Sequence, residues 1–80
     1  MSIKDQIREY IAAELGWDKP ASELSDDYEL LEKDVVDSLG IFKIISFIEE
    51  EWDVEVDDDE LVPENFETIS SIAGLVSAKV

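Results

Sequence analysis

The chain has 80 residues, enough for one small domain, with 6 Lys plus Arg against 22 Asp plus Glu and a formal net charge of −16. That surplus of negative charge repels nucleic-acid phosphates and anionic membrane surfaces and disfavours binding through either. Neither Cys nor His is present, which removes disulfides, thiolate metal sites, cysteine nucleophiles and the usual general base near neutral pH together.

The apolar fraction of 45%, with two Trp, two Tyr and three Phe, is that of a chain able to build a core. No apolar run is long enough to span a membrane, and the polar opening Met1-Ser2-Ile3-Lys4-Asp5 is no secretory signal. A cytoplasmic location is expected.

In chain order, Ile3, Ile7, Tyr10, Ile11 and Leu15 recur at helical spacing, with Lys4, Asp5, Arg8 and Glu9 on the outer face. Ser2, three residues before Asp5, supplies an N-cap, and Gly16 and Pro20 supply the stop. A first helix over about residues 2–15 follows. Residues 17–37 hold no period. They form a loop of about 20 residues, long enough to suggest function, pinned by Leu24, Tyr28, Leu30, Leu31, Val35 and Val36 with a short turn near Tyr28 to Leu31.

A second helix begins at Ser38, with Ile41, Ile44, Ile45, Ile48 and Trp52 as its apolar stripe. Glu49, Glu50 and Glu51 gather at its C-terminal end, where the helix dipole disfavours negative charge. That placement hints at a service to a partner, although a solvated acidic face reads equally well. Residues 53–60 are predicted as an extended connection sending Val54 and Val56 to the core. Pro63 opens a short helical turn through Phe66, and Thr68 caps a last helix carrying Ile69, Ile72, Ala73, Val76 and Val80 on one face. Gly74 lies inside that helix, so either packing is close there or the helix is marginal. The predicted architecture is all-α, a four-helix bundle of three longer helices and one short one, spanning residues 1–80 as a single domain.

Acids between Asp53 and Glu64 fall at several ligand positions of a calcium-binding loop. Asp58, however, stands where that loop needs Gly, Leu61 cannot be a ligand, and Pro63 disrupts the turn. Asp37-Ser38-Leu39-Gly40 is more informative. Ser38 can cap the helix with Asp37 adding a favourable charge, or it can be a serine that another enzyme modifies. It is not a self-sufficient nucleophile, because no His is available to activate it.

Asp37-Ser38-Leu39 opening an apolar helix that closes on Ile48-Glu49-Glu50-Glu51-Trp52 resembles the acyl carrier protein and peptidyl carrier protein family, and the likeness covers essentially the whole chain. The resemblance implies a protein without catalysis of its own. It implies 4′-phosphopantetheine attached to Ser38 from coenzyme A by a separate Mg²⁺-dependent phosphopantetheinyl transferase, with cargo carried as a thioester on the imported thiol. It further implies that Asp37 engages the transferase and its metal, that Leu39 and Phe42 dock partner enzymes, and that Glu49 and Glu50 meet their basic patches. Gly40 and Lys43 depart from fatty-acid-synthase carriers, which usually have acids there. Pro63-Glu64-Asn65-Phe66-Glu67-Thr68-Ile69 is similar to discrete carriers of aminoacyl and specialised-metabolite groups.

The Met1 start and lack of linker suggest a freestanding carrier; a monomer loaded by an adenylate-forming ligase is expected from the resemblance. Its cargo either swings free or tucks against Ile45, Ile48, Val56 and Ile72. A fatty-acid or polyketide carrier is the alternative within the family. An unmodified acidic interaction module is the alternative outside it.

Overall fold

A computed structural model describes residues 2–80. The first helix, α1 (Ile3–Glu14), starts where the Ser2 hydroxyl accepts the Asp5 N–H at 3.2 Å. It stops at Leu15, whose N–H donates to the Ile11 carbonyl, and Gly16 turns the chain away at φ +82°. Ile7 and Ile11 are its buried residues. Arg8 does not simply face solvent as its place in the pattern suggests. Its Nε donates to the Leu24 carbonyl at 2.8 Å, and its guanidinium pairs with Asp5 and Asp26. One side chain thus fastens the long loop to α1.

That loop is ordered by burial and by backbone bonds. Leu24, Leu30 and Val36 lie in the core, and a single 3-10 turn forms at Ala21–Glu23. The Leu30 N–H donates to the Glu67 carbonyl at 2.8 Å, and the Ser70 N–H donates to Asp26 at 3.0 Å, so the loop is stitched to the start of the last helix. The turn lies at residues 30–34, slightly later than predicted, because the Leu30 carbonyl accepts from both Val35 and Val36 and reverses the chain there.

The second helix, α2 (Ser38–Trp52), starts at the predicted residue. Its buried line is Gly40, Ile44 and Ile48, while Ile41, Ile45 and Trp52 of the predicted stripe are half-buried. Gly40 is buried because the backbone approaches its neighbours closely: a Cβ there would meet Val36 Cγ1 at 3.1 Å and Leu15 Cδ2 at 3.8 Å. The Phe47 ring stacks on Tyr10 of α1 at 4.3 Å and meets Trp52 edge-on at 5.6 Å, joining α1 to α2.

Asp53 ends α2 in the left-handed region at φ 52°. Val54 and Val56 then pack against the core as expected. The predicted extended connection is cut short, because Asp58–Glu60 forms a 3-10 turn. It is held by reciprocal bonds in which Asp57 and Glu60 each accept from the other's backbone. The predicted short helix also reduces to one 3-10 turn, Pro63–Asn65, which delivers Phe66 fully buried into the core. The bundle therefore has three α-helices and three 3-10 turns among the described residues. Three residues ending in a buried aromatic are too few for an i→i−4 ladder.

The last helix, α3 (Ile69–Ser77), is capped by Thr68, whose hydroxyl accepts the Ser71 N–H at 3.0 Å, and it packs on α1. Ile69, Ile72, Ala73 and Val76 are buried. Val80, predicted for the same face, lies beyond the helix and is exposed. Gly74 is exposed, and a Cβ there meets nothing within 4 Å, so close packing is not its reason. Gly74→Ala is expected to stabilise the protein by about 0.5–1 kcal/mol in urea melts, by restricting the unfolded chain and favouring helix.

Lys79 returns to Glu60 at 2.5 Å, and that bond holds the Glu60 carboxyl below its ordinary 4.5 and the Lys79 ammonium above its ordinary 10.5. A lowered carboxylate pKa adds stability above the unfolded value that is lost as pH falls through the folded one; the raised ammonium adds stability that is lost as pH rises through its folded value. Glu60→Gln keeps an acceptor for the Asp57 N–H and removes the charge. In melts it is expected to be less stable than wild type at neutral pH and to converge on it as pH falls through the folded pKa of Glu60.

Candidate functional site

The N-terminus of α2 is built by Asp37, not Ser38. Asp37 has extended backbone geometry, its Oδ1 accepts the Gly40 N–H at 2.8 Å, and its carbonyl accepts the Ile41 N–H at 2.9 Å. With the cap supplied, Ser38 becomes the first residue of a 15-residue helix, exposed, its hydroxyl without a partner among the described residues. The reading of Ser38 as the helix cap is overturned. Asp37 reaches the first turn with two carboxylate oxygens, so it outcompetes a serine one position too far along.

The surroundings of the Ser38 hydroxyl suit an anionic adduct. The first N–H groups of a helix lack intrahelical acceptors and carry the positive end of its dipole. With the Gly40 and Ile41 N–H groups taken by Asp37, the Ser38 and Leu39 N–H groups are left for a phosphodiester on this oxygen. Beside the serine, Leu39 and Phe42 are 72% and 59% exposed, large values for apolar side chains. Phe42 is therefore not part of the core. Leu39, Gly40 and Lys43 line a cleft of ≈ 280 Å³ together with Leu15, Val35 and Asp37.

The acids at the far end of α2 divide. Glu49 Oε2 accepts the Val56 N–H at 3.0 Å and so holds the connection after α2, a task its place in the sequence did not reveal. Glu50 and Glu51 are exposed. Asp53 to Glu64, bent through an extended stretch and two 3-10 turns, is not wrapped as a calcium loop. Among the described residues no three acidic side chains converge on a point where a metal ion could sit. Ile48 and Ile72 are fully buried, with Ile45 and Val56 half-buried against the same core, so the four residues considered for cargo between the second helix and the short third one are committed to the core. No helix among the described residues is long and apolar enough to cross a membrane.

Comparison with known proteins adds to this geometry. Residues 5–76 match the family model described as "Phosphopantetheine attachment site". The acyl carrier protein of Lactococcus lactis subsp. cremoris (strain MG1363) is 40% identical over 57 residues, covering 71% of this chain and 74% of that protein. The solution structure of a holo acyl carrier protein from Nitrosomonas europaea superimposes with a TM-score of 0.81 at 29% identity, over 98% of this chain and 95% of that one. The apo structure of KstB-PCP gives a TM-score of 0.79 at 31% identity, covering 92% and 81% respectively.

Proposed function

The chain belongs to the phosphopantetheine-attachment family of carrier proteins, and from that premise we propose that Ser38 bears the 4′-phosphopantetheine arm and that the protein is a discrete aminoacyl or peptidyl-type carrier. The observation that carries this reading is the exposed Ser38 hydroxyl, relieved of capping by Asp37 and placed at the positive end of α2. The family is non-catalytic. The chemistry comes from the arm, which supplies a thiol this cysteine-free chain lacks, and tethering the intermediate turns encounters with it into local ones of high effective concentration.

Each neighbouring residue has a part in the proposal. Asp37 fixes the serine's position and presents acid to the phosphopantetheinyl transferase and its metal. Leu39 and Phe42 supply the apolar contact for partner enzymes. Glu50, with Glu49 beside it, faces their basic patches, an arrangement that speeds encounter and weakens with salt. The carrier works as a cytoplasmic monomer loaded by an adenylate-forming ligase, and its likeness to KstB-PCP supports the peptidyl-type assignment. The Lactococcus relative supports a second reading, an acyl carrier of fatty-acid or polyketide type.

Intact-protein mass spectrometry tests the attachment. Incubation with coenzyme A, Mg²⁺ and a permissive transferase is expected to add one phosphopantetheine. Absence of addition to folded, initially unmodified protein, with a known carrier labelled in parallel, would return the field to the acidic interaction module. Amino-acid and acyl loading of the holo form then separates the two carrier readings.

A further inference from the structure

A second face of the molecule is organised around a groove of ≈ 550 Å³ between α1 and the C-terminal half of α2, lined by Gln6, Glu9, Tyr10, Phe47 and Glu51. Its aromatic part is held firmly. The Tyr10 hydroxyl donates to the Lys43 carbonyl at 3.2 Å, Phe47 stacks on the Tyr10 ring with planes 16° apart, and Trp52 meets Phe47 edge-on. Its sides carry Glu9 from one helix and Glu51 from the other, both exposed and neither ion-paired among the described residues. Of the six cations, Lys4, Arg8 and Lys79 are committed to other acids, Lys19 lies over Trp17, Lys33 lies in the loop before α2, and Lys43, one turn before Phe47, lines the cleft beside Leu39 and Gly40. Glu14 and Glu50 add negative charge nearby: after burial, they hold the Tyr10 phenol above its ordinary 10.0.

The groove does not overlap the face around Ser38. At about 100° and 1.5 Å per residue, Phe47 lies about 180° round α2 from Ser38 and about 13 Å along it, whereas Phe42 lies only about 40° away. By the same measure Leu39 lies about 80° from Phe47 and about 12 Å along the helix, and the two clefts share no lining residue, so a side chain seated in the groove would not touch Ser38.

The lining selects the occupant. An anion is repelled by both glutamates, and an apolar group would strip water from two carboxylates without offering a partner. An ammonium can pair with an acid but presents no flat face. A guanidinium does both, stacking on an aromatic ring while donating to carboxylates. We propose that this groove is a second docking face, which accepts an arginine side chain presented by a partner protein. The inference does not depend on the arm, so its test uses the Ser38→Ala protein.

The probe is an alanine-based helical peptide bearing three arginines, compared with the same peptide bearing three lysines, at about 150 mM salt to suppress general attraction to the −16 chain. Amide shift mapping is expected to place the arginine peptide at residues 6–10 and 47–51, with tighter binding than the lysine peptide. Glu9→Gln with Glu51→Gln should weaken it on the order of tenfold, the combined effect of two exposed ion pairs and stacking that depends on them. The charge-matched control, Asp18→Asn with Glu23→Gln, lies in the loop before α2 and should change binding by less than about twofold. Equal affinity for the two peptides, equal losses in the two double variants, or shifts spread over the whole surface would overturn the proposal.

Discussion

Ser38→Ala is expected to take up no phosphopantetheine while unfolding at the same urea concentration as wild type, within about 0.5 kcal/mol. The two halves of this expectation come from one geometric fact. Asp37 holds the Gly40 and Ile41 N–H groups, so removing the Ser38 oxygen costs the helix no cap, and alanine is well tolerated in a first turn. The hydroxyl is exposed and without a partner among the described residues, so no hydrogen bond is lost. Loading is all-or-none, because the phosphodiester needs that oxygen. Mass spectrometry of both proteins beside their urea melts checks the prediction. A variant that still gained one phosphopantetheine would move the attachment to another serine. A variant that lost both loading and stability would show Ser38 to be part of the fold.

Phe66→Ala is expected to cost about 3–5 kcal/mol, the largest loss from any one truncation in this molecule. Phe66 is fully buried and is the bulkiest of the completely enclosed side chains, packed with Leu24, Leu30, Ile69 and Ile72 in one core. The 3-10 turn that delivers it is a single turn, so the backbone around it has little stability of its own. At roughly 0.05–0.15 kcal/mol per residue a chain of this length has a total stability of only about 4–12 kcal/mol, and the cavity would remove a large part of it. Urea denaturation should show a lowered midpoint with an unchanged slope, and loading should fall in proportion to the unfolded fraction. A loss under about 1 kcal/mol would mean that the core collapses around the missing ring.

Local rules made much of the fold legible. Ser2, Thr68 and the start of α2 at Ser38 could be placed because caps and apolar periods act within a few residues, and the structure has them where the sequence places them. The loop's anchoring residues Leu24, Leu30 and Val36 were also readable as apolar points in a polar stretch. The cap of α2 was harder. Asp37 and Ser38 are both good N-cap residues, and one position decides between them. That position depends on how Val36, pinned in the core, aims the chain into the helix.

Other features had no local signal. Gly40 looked like a missing acid in α2, and its burial became visible only with Val36 and Leu15 packed against it. Arg8 read as an outer-face charge because the Leu24 carbonyl and Asp26 that it meets are about 16–18 residues away, beyond the reach of helical periodicity. Glu49 looked like its neighbours Glu50 and Glu51 until Val56 folded back onto it.

By itself, then, the sequence determined the helices, most of their caps, the absence of cysteine and histidine chemistry, and the Asp37-Ser38-Leu39 signature, because each depends on residue type and on spacing within a turn or two. Only the tertiary structure decided which of two adjacent polar residues caps α2 and which is left exposed, which acids are engaged, and that Tyr10 and Phe47 meet across α1 and α2. Those outcomes depend on contacts between residues far apart in the chain, and packing chooses among options that local chemistry leaves nearly equal.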